Sequence, residues 1–304
     1  ISKKTAQFVA KHSSRELFNA TLVRITKEKW VAETEEGERP IDKNDFSYKK
    51  NQTKFFFDKV FIAIHGTPGE DGKIQAYFDM LDIPYTTGDV LNTALTFNKY
   101  FTNQLLQKWE INTTNPTILD KNKKYNKEAI IKETGLPCFI KPNSGGSSLG
   151  NSKVNKSDEF ETATQKAFDI DDQILIEPYI NGTELACGVF EYNRKTTPLP
   201  PIEIVSKNDF FDYNAKYLDK ATDEILPARI PKESEQKCME LCKMIYEKMN
   251  CKGMCRIDVF LKHEKMYVIE INTVPGLSEM SLLPQELEYA GYSFEEFVAS
   301  VLGV

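Results

Sequence analysis

The chain reads as a mixed α and β fold assembled in three parts, and three stretches carry that reading. Lys59–Ile64 (KVFIAI) is a continuous apolar run, as expected of a strand covered on both sheet faces. It leads into a turn-rich loop, His65–Gly72, and then a segment with Ile74, Tyr77, Phe78 and Leu81 on one side, the order that begins an α/β unit. Ser234–Asn250 sets Cys238, Leu241, Cys242, Ile245 and Met249 in helical step. Met254–Leu261 and Met266–Ile271 alternate at period two about a short turn, Lys262–Lys265, and predict a hairpin. At 304 residues, 40% of them hydrophobic, the chain can fill two or three cores rather than one.

The remaining elements follow in order. Ser2–His12 predicts a helix, with Ser2 as N-cap and Ala6, Val9 and Ala10 on one face. Phe18–Ile25 reads as a strand, and a helix around Thr96–Trp109 leads into polar Asn112–Asn126, expected to be a surface connection. Cys138–Lys141 is a strand ending in Lys-Pro. Ser157–Phe168 is a helix with Ser157 as cap, and Gln173–Glu177 and Glu184–Phe190 continue as strands. Pro198–Pro231 carries five of the fourteen prolines and little periodicity, so a long irregular loop is expected there.

Charge and cysteine usage narrow the classes. With 39 basic against 45 acidic residues, net −6, there is no basic stripe for a phosphate backbone, and nucleic acid is not an expected partner. No run approaches the roughly 20 apolar residues of a membrane helix, and no signal peptide opens the given sequence, whose first residue is Ile1 rather than a start methionine. The six cysteines, at 138, 187, 238, 242, 251 and 255, form no CxxC and read as reduced core thiols rather than disulfides or metal ligands, so a cytoplasmic setting is expected.

Two segments carry chemistry. In the hairpin, Cys255, Ile257, Val259 and Leu261 share a face opposite Arg256, Asp258 and Phe260. Tyr267, Ile269 and Ile271 likewise oppose Val268, Glu270 and Asn272. A register centred on Glu264 sets Asp258 against Glu270 and Arg256 against Asn272. Opposed carboxylates repel, and a divalent cation reverses that sign: two carboxylates plus an amide oxygen suit Mg²⁺ that also binds phosphates. An exposed face with ordinary charges is the alternative. The turn-forming extension Asn272-Thr273-Val274-Pro275-Gly276, with its free Gly276 N–H, favours the metal. Upstream, Lys141–Gly150 (KPNSGGSSLG) couples a strand-end lysine to small residues whose N–H and hydroxyl groups can approach phosphate. It is neither a Walker A loop nor a GxGxxG fingerprint, and a plain flexible hairpin is the alternative. Glu177-Pro178-Tyr179-Ile180 ends a strand with backbone groups available to a flat base.

Taken in order, these motifs resemble the D-alanine–D-alanine ligases of the ATP-grasp superfamily over essentially the whole chain. The matches are His65-Gly66 with Gly69-Glu70-Asp71-Gly72, Ile83-Pro84-Tyr85-Thr86, Lys141-Pro142 with Gly146-Ser147-Ser148, and Asp212-Tyr213 with Ala215-Lys216-Tyr217. Arg256-Ile257-Asp258, Glu270-Ile271-Asn272-Thr273, Pro275-Gly276 and Ser281-Leu282 complete them. The resemblance implies a three-domain ATP-grasp fold: an N-terminal Rossmann-like domain over 1–96, a central lobe over 97–181 and a C-terminal lobe over 182–304. It implies that Lys99 and Lys141 hold ATP phosphates under a loop at Ser147 and Ser148, that Glu177, Tyr179 and Ile180 read adenine, and that Glu184 holds ribose. Asp258, Glu270 and Asn272 would bind two Mg²⁺ (Mn²⁺ being a possible substitute). Arg256 and the Gly276 N–H would stabilise the oxyanion, His65 and Glu70 would lie near the first D-alanine, and Ser281 and Leu282 would hold the second. Lys216 and Tyr217 would arrive on a closing lid, and a homodimer is expected.

Relatives carry a strand and a glycine-rich turn with a glutamate ahead of the Val-Ser place that Ile1-Ser2 occupies, so this sequence lacks the first strand of that domain. Lys121–Lys127 is also short for the family. The rivals are D-alanyl-D-lactate or D-alanyl-D-serine ligases, which Tyr217 and Leu282 respectively argue against by resemblance, and a nucleotide-binding protein without ligase activity.

Overall fold

The computed structural model describes residues 1–146, 148–206 and 222–304, and three antiparallel sheets organise them. Helix α1 (Ser2–His12) precedes a five-stranded meander of β1 (Leu22–Ile25), β2 (Trp30–Thr34), β3 (Gly37–Asp42), β4 (Ser47–Lys50) and β5 (Thr53–Phe55). Sequence periodicity reveals only the first of these strands, because β3 is mostly exposed and β5 has three residues. Their inner face packs Ala32, Ile41, Phe46 and Tyr48 against Ile62 and against Ile74 and Phe78 of α2 (Lys73–Asp79).

Lys59–Ile64 corrects one expectation. Ile62 and Ala63 are buried as predicted, but the segment joins no ladder among the described residues. It makes one parallel bridge, Val60 to Tyr85, with the Val60 N–H donating to Pro84 O and the Ile62 N–H to Thr86 Oγ1. An apolar run reports burial, not pairing.

The single helix expected near Thr96–Trp109 is two, α3 (Val90–Phe97) and α4 (Lys99–Lys108). Asn98 interrupts it and accepts from the Phe101 N–H as the cap of α4. The central sheet holds β6 (Thr117–Asp120), β7 (Cys138–Pro142), β8 (Ser152–Val154) and β9 (Gln173–Pro178) in the order β6-β9-β7-β8, covered by α5 (Lys127–Thr134) and α6 (Phe160–Phe168). Strand β6 lies inside the expected surface connection and pairs because Leu119 reaches the core. A 3-10 turn, Ser157–Glu159, precedes α6, and Ser157 is not its cap: the Glu159 carboxylate accepts from the Asn155 and Lys156 N–H groups instead.

The C-terminal part contains β10 (Thr183–Tyr192), β11 (Lys195–Pro198), β12 (Ile202–Ser206), β13 (Thr222–Ile225), α7 (Lys232–Lys248), β14 (Met254–Lys262), β15 (Lys265–Asn272), α8 (Leu282–Tyr289) and α9 (Phe294–Leu302). The sheet runs β13-β12-β10-β14-β15, with β11 also on β10. Strands β12 and β13 occupy the ends of a stretch expected to be irregular; its prolines stand outside their ladder. Leu185, Cys187 and Val189 of β10 and Cys255, Ile257 and Val259 of β14 join Cys238, Cys242 and Ile245 of α7 in one core. Alternation turns Ala186, Gly188, Arg256 and Asp258 to the other face.

The last hairpin reaches its expected carboxylate pairing by another route. His263 and Glu264, both at positive φ (46° and 64°), make a two-residue turn, so Lys262 pairs Lys265 and Val259 pairs Val268. A bulge between Val268 and Glu270 then shifts the register, and Asp258 meets Glu270 and Arg256 meets Asn272. Before the bulge the predicted facing is reversed: Met266 and Val268 lie in the core with Ile257 and Ile271.

Candidate active site

Two buried lysines begin the site. Asn143, at the end of β7, accepts the Lys99 N–H on its backbone oxygen (3.1 Å) and the Tyr100 N–H on Oδ1 (2.9 Å), fastening the start of α4 to the central sheet. Lys99 Nζ donates to Gly145 O at 2.6 Å, on the loop that Lys141 opens. Burial pulls the Lys99 ammonium below its usual range. The Glu270, Glu177 and Glu70 carboxylates oppose that shift, and the neighbouring Lys141 charge adds to it. Lys141 Nζ pairs with Glu177 Oε2 at 2.8 Å, both side chains buried, while Glu177 Oε1 is buried with no partner among the described residues. Such an acceptor is costly unless a ligand donor meets it.

Beside Glu177 the strand ends at Pro178, and Tyr179 follows, its N–H donating to Pro137 O and its ring stacking on Phe139. Lys153 Nζ stands 4.3 Å from the centre of the Tyr179 ring. Lys153, Phe139 and Glu177 are register partners across β8, β7 and β9. Ile180 follows Tyr179, half-buried, and Glu184 sits on β10 between Ile204 and Phe260. Ser148 holds a positive φ of 55° in the turn before Gly150. Ser147, Lys216 and Tyr217 lie outside the described residues.

The carboxylate row lies on β14 and β15. Arg256 forks both ends onto Asp258, Nε to Oδ1 and Nη2 to Oδ2, each at 2.7 Å. Burial disfavours the Arg256 charge, yet Asp258 and then Glu270 outweigh it and hold the guanidinium protonated. This ion pair offsets part of the repulsion expected between Asp258 and Glu270. Asn272 Nδ2 reaches Asp258 Oδ2 at 3.1 Å and Glu270 Oε1 at 3.4 Å, so its amide already spans the two. Two carboxylates and an amide on one face are a hard-oxygen donor set, and an amide turn would direct the Asn272 oxygen inward. These residues fit Mg²⁺.

The third wall is His65–Glu70 with the tail 274–282. His65 donates its backbone N–H to Ser2 Oγ and its Nε2 shares a 2.9 Å hydrogen bond with Thr5 Oγ1. Burial lowers the imidazole to about 4, so it is neutral at pH 7. Glu70 accepts from the Gly66 N–H at 2.5 Å, and burial pushes its carboxyl up. His65 and Glu70 both engage the Val274 backbone. Gly276 passes so close to Ser281 that a Cβ there would lie 2.8 Å from Ser281 Oγ. That hydroxyl accepts from the Ser278 N–H and shares a 2.8 Å hydrogen bond with Ser278 Oγ. Leu282, at the start of α8, is buried against Ala186 and Ile202.

Sequence reasoning missed Asn143, Lys153 and Glu286. Only the pairing of β8 with β7 brings Lys153 level with Glu177, and nothing local marks Asn143, whose partners in α4 are 43 and 44 residues away. Glu286 on α8 is wholly buried and accepts the Gly188 N–H at 2.8 Å, opposite Arg256 in the ladder.

Comparison with known proteins identifies the family and the fold. The family model of the D-Ala–D-Ala ligase N-terminus matches residues 1–88, and that of the C-terminus matches 105–303. A D-alanine–D-alanine ligase of Flavobacterium johnsoniae is 43% identical over 303 residues, covering 99% of this chain and 94% of the relative. One from Phocaeicola vulgatus is 40% identical over 304 residues with the same coverage. Among solved structures, the D-Ala:D-Ser ligase VanG of Enterococcus faecalis superposes with a TM-score of 0.86 at 28% identity, covering 99% of this chain and 93% of that one. A D-alanine–D-alanine ligase of Bacillus anthracis complexed with ATP superposes with a TM-score of 0.77 at 25% identity, covering 99% and 90%. Matched from end to end in sequence and in fold, the chain belongs to the D-alanine–D-alanine ligase family.

Proposed function

We propose that the chain joins two D-alanines into D-alanyl-D-alanine at the expense of ATP, through an acyl phosphate, supplying a cell-wall precursor in the cytoplasm as a homodimer. The observation that carries the reading is Lys99. One buried ammonium feels Lys141, Glu177, Glu270 and Glu70 together, so the lysines of the central lobe, the acidic row and the His65 loop converge on one place. Two adjacent buried lysines ask for an anion.

In this reading Lys99 and Lys141 hold the ATP phosphates, helped by Ser148. The bare Glu177 Oε1 accepts from the adenine amino group, Tyr179 and Ile180 line the ring and Glu184 takes the ribose. Asp258, Glu270 and Asn272 hold Mg²⁺, which when bound neutralises phosphate charge. A carboxylate is a poor electrophile, and phosphorylating the first D-alanine supplies a leaving group. Neutral His65, with Glu70, borders that substrate, while Ser281 and the Leu282 N–H anchor the second carboxylate. The second amine attacks, phosphate departs, and Arg256 with the Gly276 N–H steadies the tetrahedral oxyanion.

The test is Mg²⁺-dependent phosphate release from ATP with D-alanine, against L-alanine, D-lactate and D-serine, with the product weighed by mass spectrometry. Release with D-alanine alone, yielding the dipeptide, is expected. Release only with a mixed acceptor pair would make the chain a sister ligase, and ATP binding without release would end the ligase reading.

A further inference from the structure

Away from that site, three thiols meet in the core beneath the C-terminal sheet. Cys187 on β10 and Cys238 and Cys242, one turn apart on α7, bring their Sγ atoms within 4.8 Å of one another, each residue at 0% exposure. Strand alternation and the i, i+4 spacing aim all three at one place. Leu185, Val189, Ile245 and Ile257 belong to the same core. Cys187 Sγ also donates to Leu199 O at 3.3 Å.

We propose that Cys187, Cys238 and Cys242 form a binding site for a trivalent thiophilic metalloid, taken up as its neutral hydroxide, with arsenous acid as the probe. The step is a condensation: three S–H bonds and three As–O bonds break, three As–S bonds form, and the protons leave with the hydroxyls as three waters. Nothing is oxidised or reduced, and the product is neutral. Charge selects this class. A divalent ion on three thiolates would leave a net negative charge in an apolar core, where an isolated charge is strongly disfavoured. Geometry permits closure: bonds of about 2.3 Å, as in metal–thiolate sites, around a pyramidal centre that keeps its lone pair put the sulfurs about 3.5 Å apart, which modest rotations of the three side chains can reach. Entry requires α7 to open locally, so uptake is slow and follows the frequency of that opening. Once bound, the ligand ties α7 to β10 beside Gly188, the ladder partner of Arg256.

The experiment incubates the full chain with arsenous acid under a phosphine reductant, then reads native mass, arsenic X-ray absorption and thermal unfolding. One arsenic per chain with three protons lost, a three-sulfur shell, a raised Tm and uptake unchanged between pH 6 and pH 8 are expected. Cys242→Ala should abolish uptake, whereas Cys138→Ser should keep it. The proposal is overturned by no retained arsenic, by a two-sulfur shell, by uptake surviving in Cys242→Ala, or by zinc on these thiols in the protein as isolated. Should Cys242→Ala not fold, the sulfur count of the unsubstituted chain decides.

Discussion

Arg256 is clamped to Asp258 through both ends of its fork, and a lysine cannot reproduce that planar, two-point contact. Arg256→Lys should therefore keep the charge but lose aim, lowering kcat by about 10²–10³-fold, the usual cost of one oxyanion donor, with a smaller change in KM for ATP; steady-state kinetics check this. His65 carries a second residue-scale consequence. Its folded pKa, about 4, lies below the ordinary 6.5, so between those values the unfolded chain binds a proton that the folded chain refuses. Stability is thus full above about pH 6.5 and falls as pH drops toward about 4. Denaturant melts across that window should show the slope, and His65→Gln should flatten it. Glu286 tilts the other way. Burial raises its carboxyl well above the usual range, so its contribution is full at low pH and lost as pH rises through the folded pKa. Parity along β14 exposed Arg256 and Asp258 as partners of one face in the sequence. The ion pair between them was not legible there, because side-chain direction along a strand does not say which neighbour a flexible guanidinium selects.

At the scale of elements, the hairpin shows what sequence reasoning can reach and what it cannot. The opposition of Asp258 and Glu270 was correct, but a two-residue turn alone would have set Asp258 one place out of register; the bulge after Val268 restores it. Bulges arise from ladder geometry and leave little mark in a hydrophobic pattern. The contact of α8 with β10 is equally non-local. Between β12 and β11 the ladder leaves the Gly188 N–H without a strand partner, and Glu286, 98 residues on, supplies the acceptor. A Cβ at position 188 would stand 2.3 Å from Leu283 Cδ1 and 2.7 Å from Glu286 Oε2. Gly188→Ala should destabilise by about 1–3 kcal/mol through overpacking. Glu286→Ala should cost about 1–3 kcal/mol by leaving that N–H buried and unsatisfied, while Glu286→Gln, which keeps a carbonyl acceptor, should stay near the parent; equilibrium urea denaturation separates this variant from the other two.

Across the whole molecule, the proposed reacting centre is assembled from parts that are remote in sequence: the loop at 65–70, the start of α4, the end of β7, and the row on β14 and β15. The loop, the end of β7 and the hairpin row were recognisable as motifs whose order carried the family resemblance, while the start of α4 was marked only by Lys99, through that resemblance. Their convergence depends on contacts such as Asn143 with Lys99 and His65 and Glu70 with the Val274 backbone, which only the folded chain displays. The antiparallel meander over residues 22–55 was largely illegible, since its short and exposed strands gain their burial from α2 rather than from their own pattern.

Carboxylate activation by phosphoryl transfer is the central claim, and isotope transfer tests it most directly. D-Alanine labelled with ¹⁸O in its carboxylate is turned over with ATP and Mg²⁺, and the released phosphate and nucleotide are weighed. One ¹⁸O in each inorganic phosphate formed per dipeptide, with unlabelled ADP, is the predicted result; label appearing in AMP, or dipeptide formed with no label in phosphate, would contradict it.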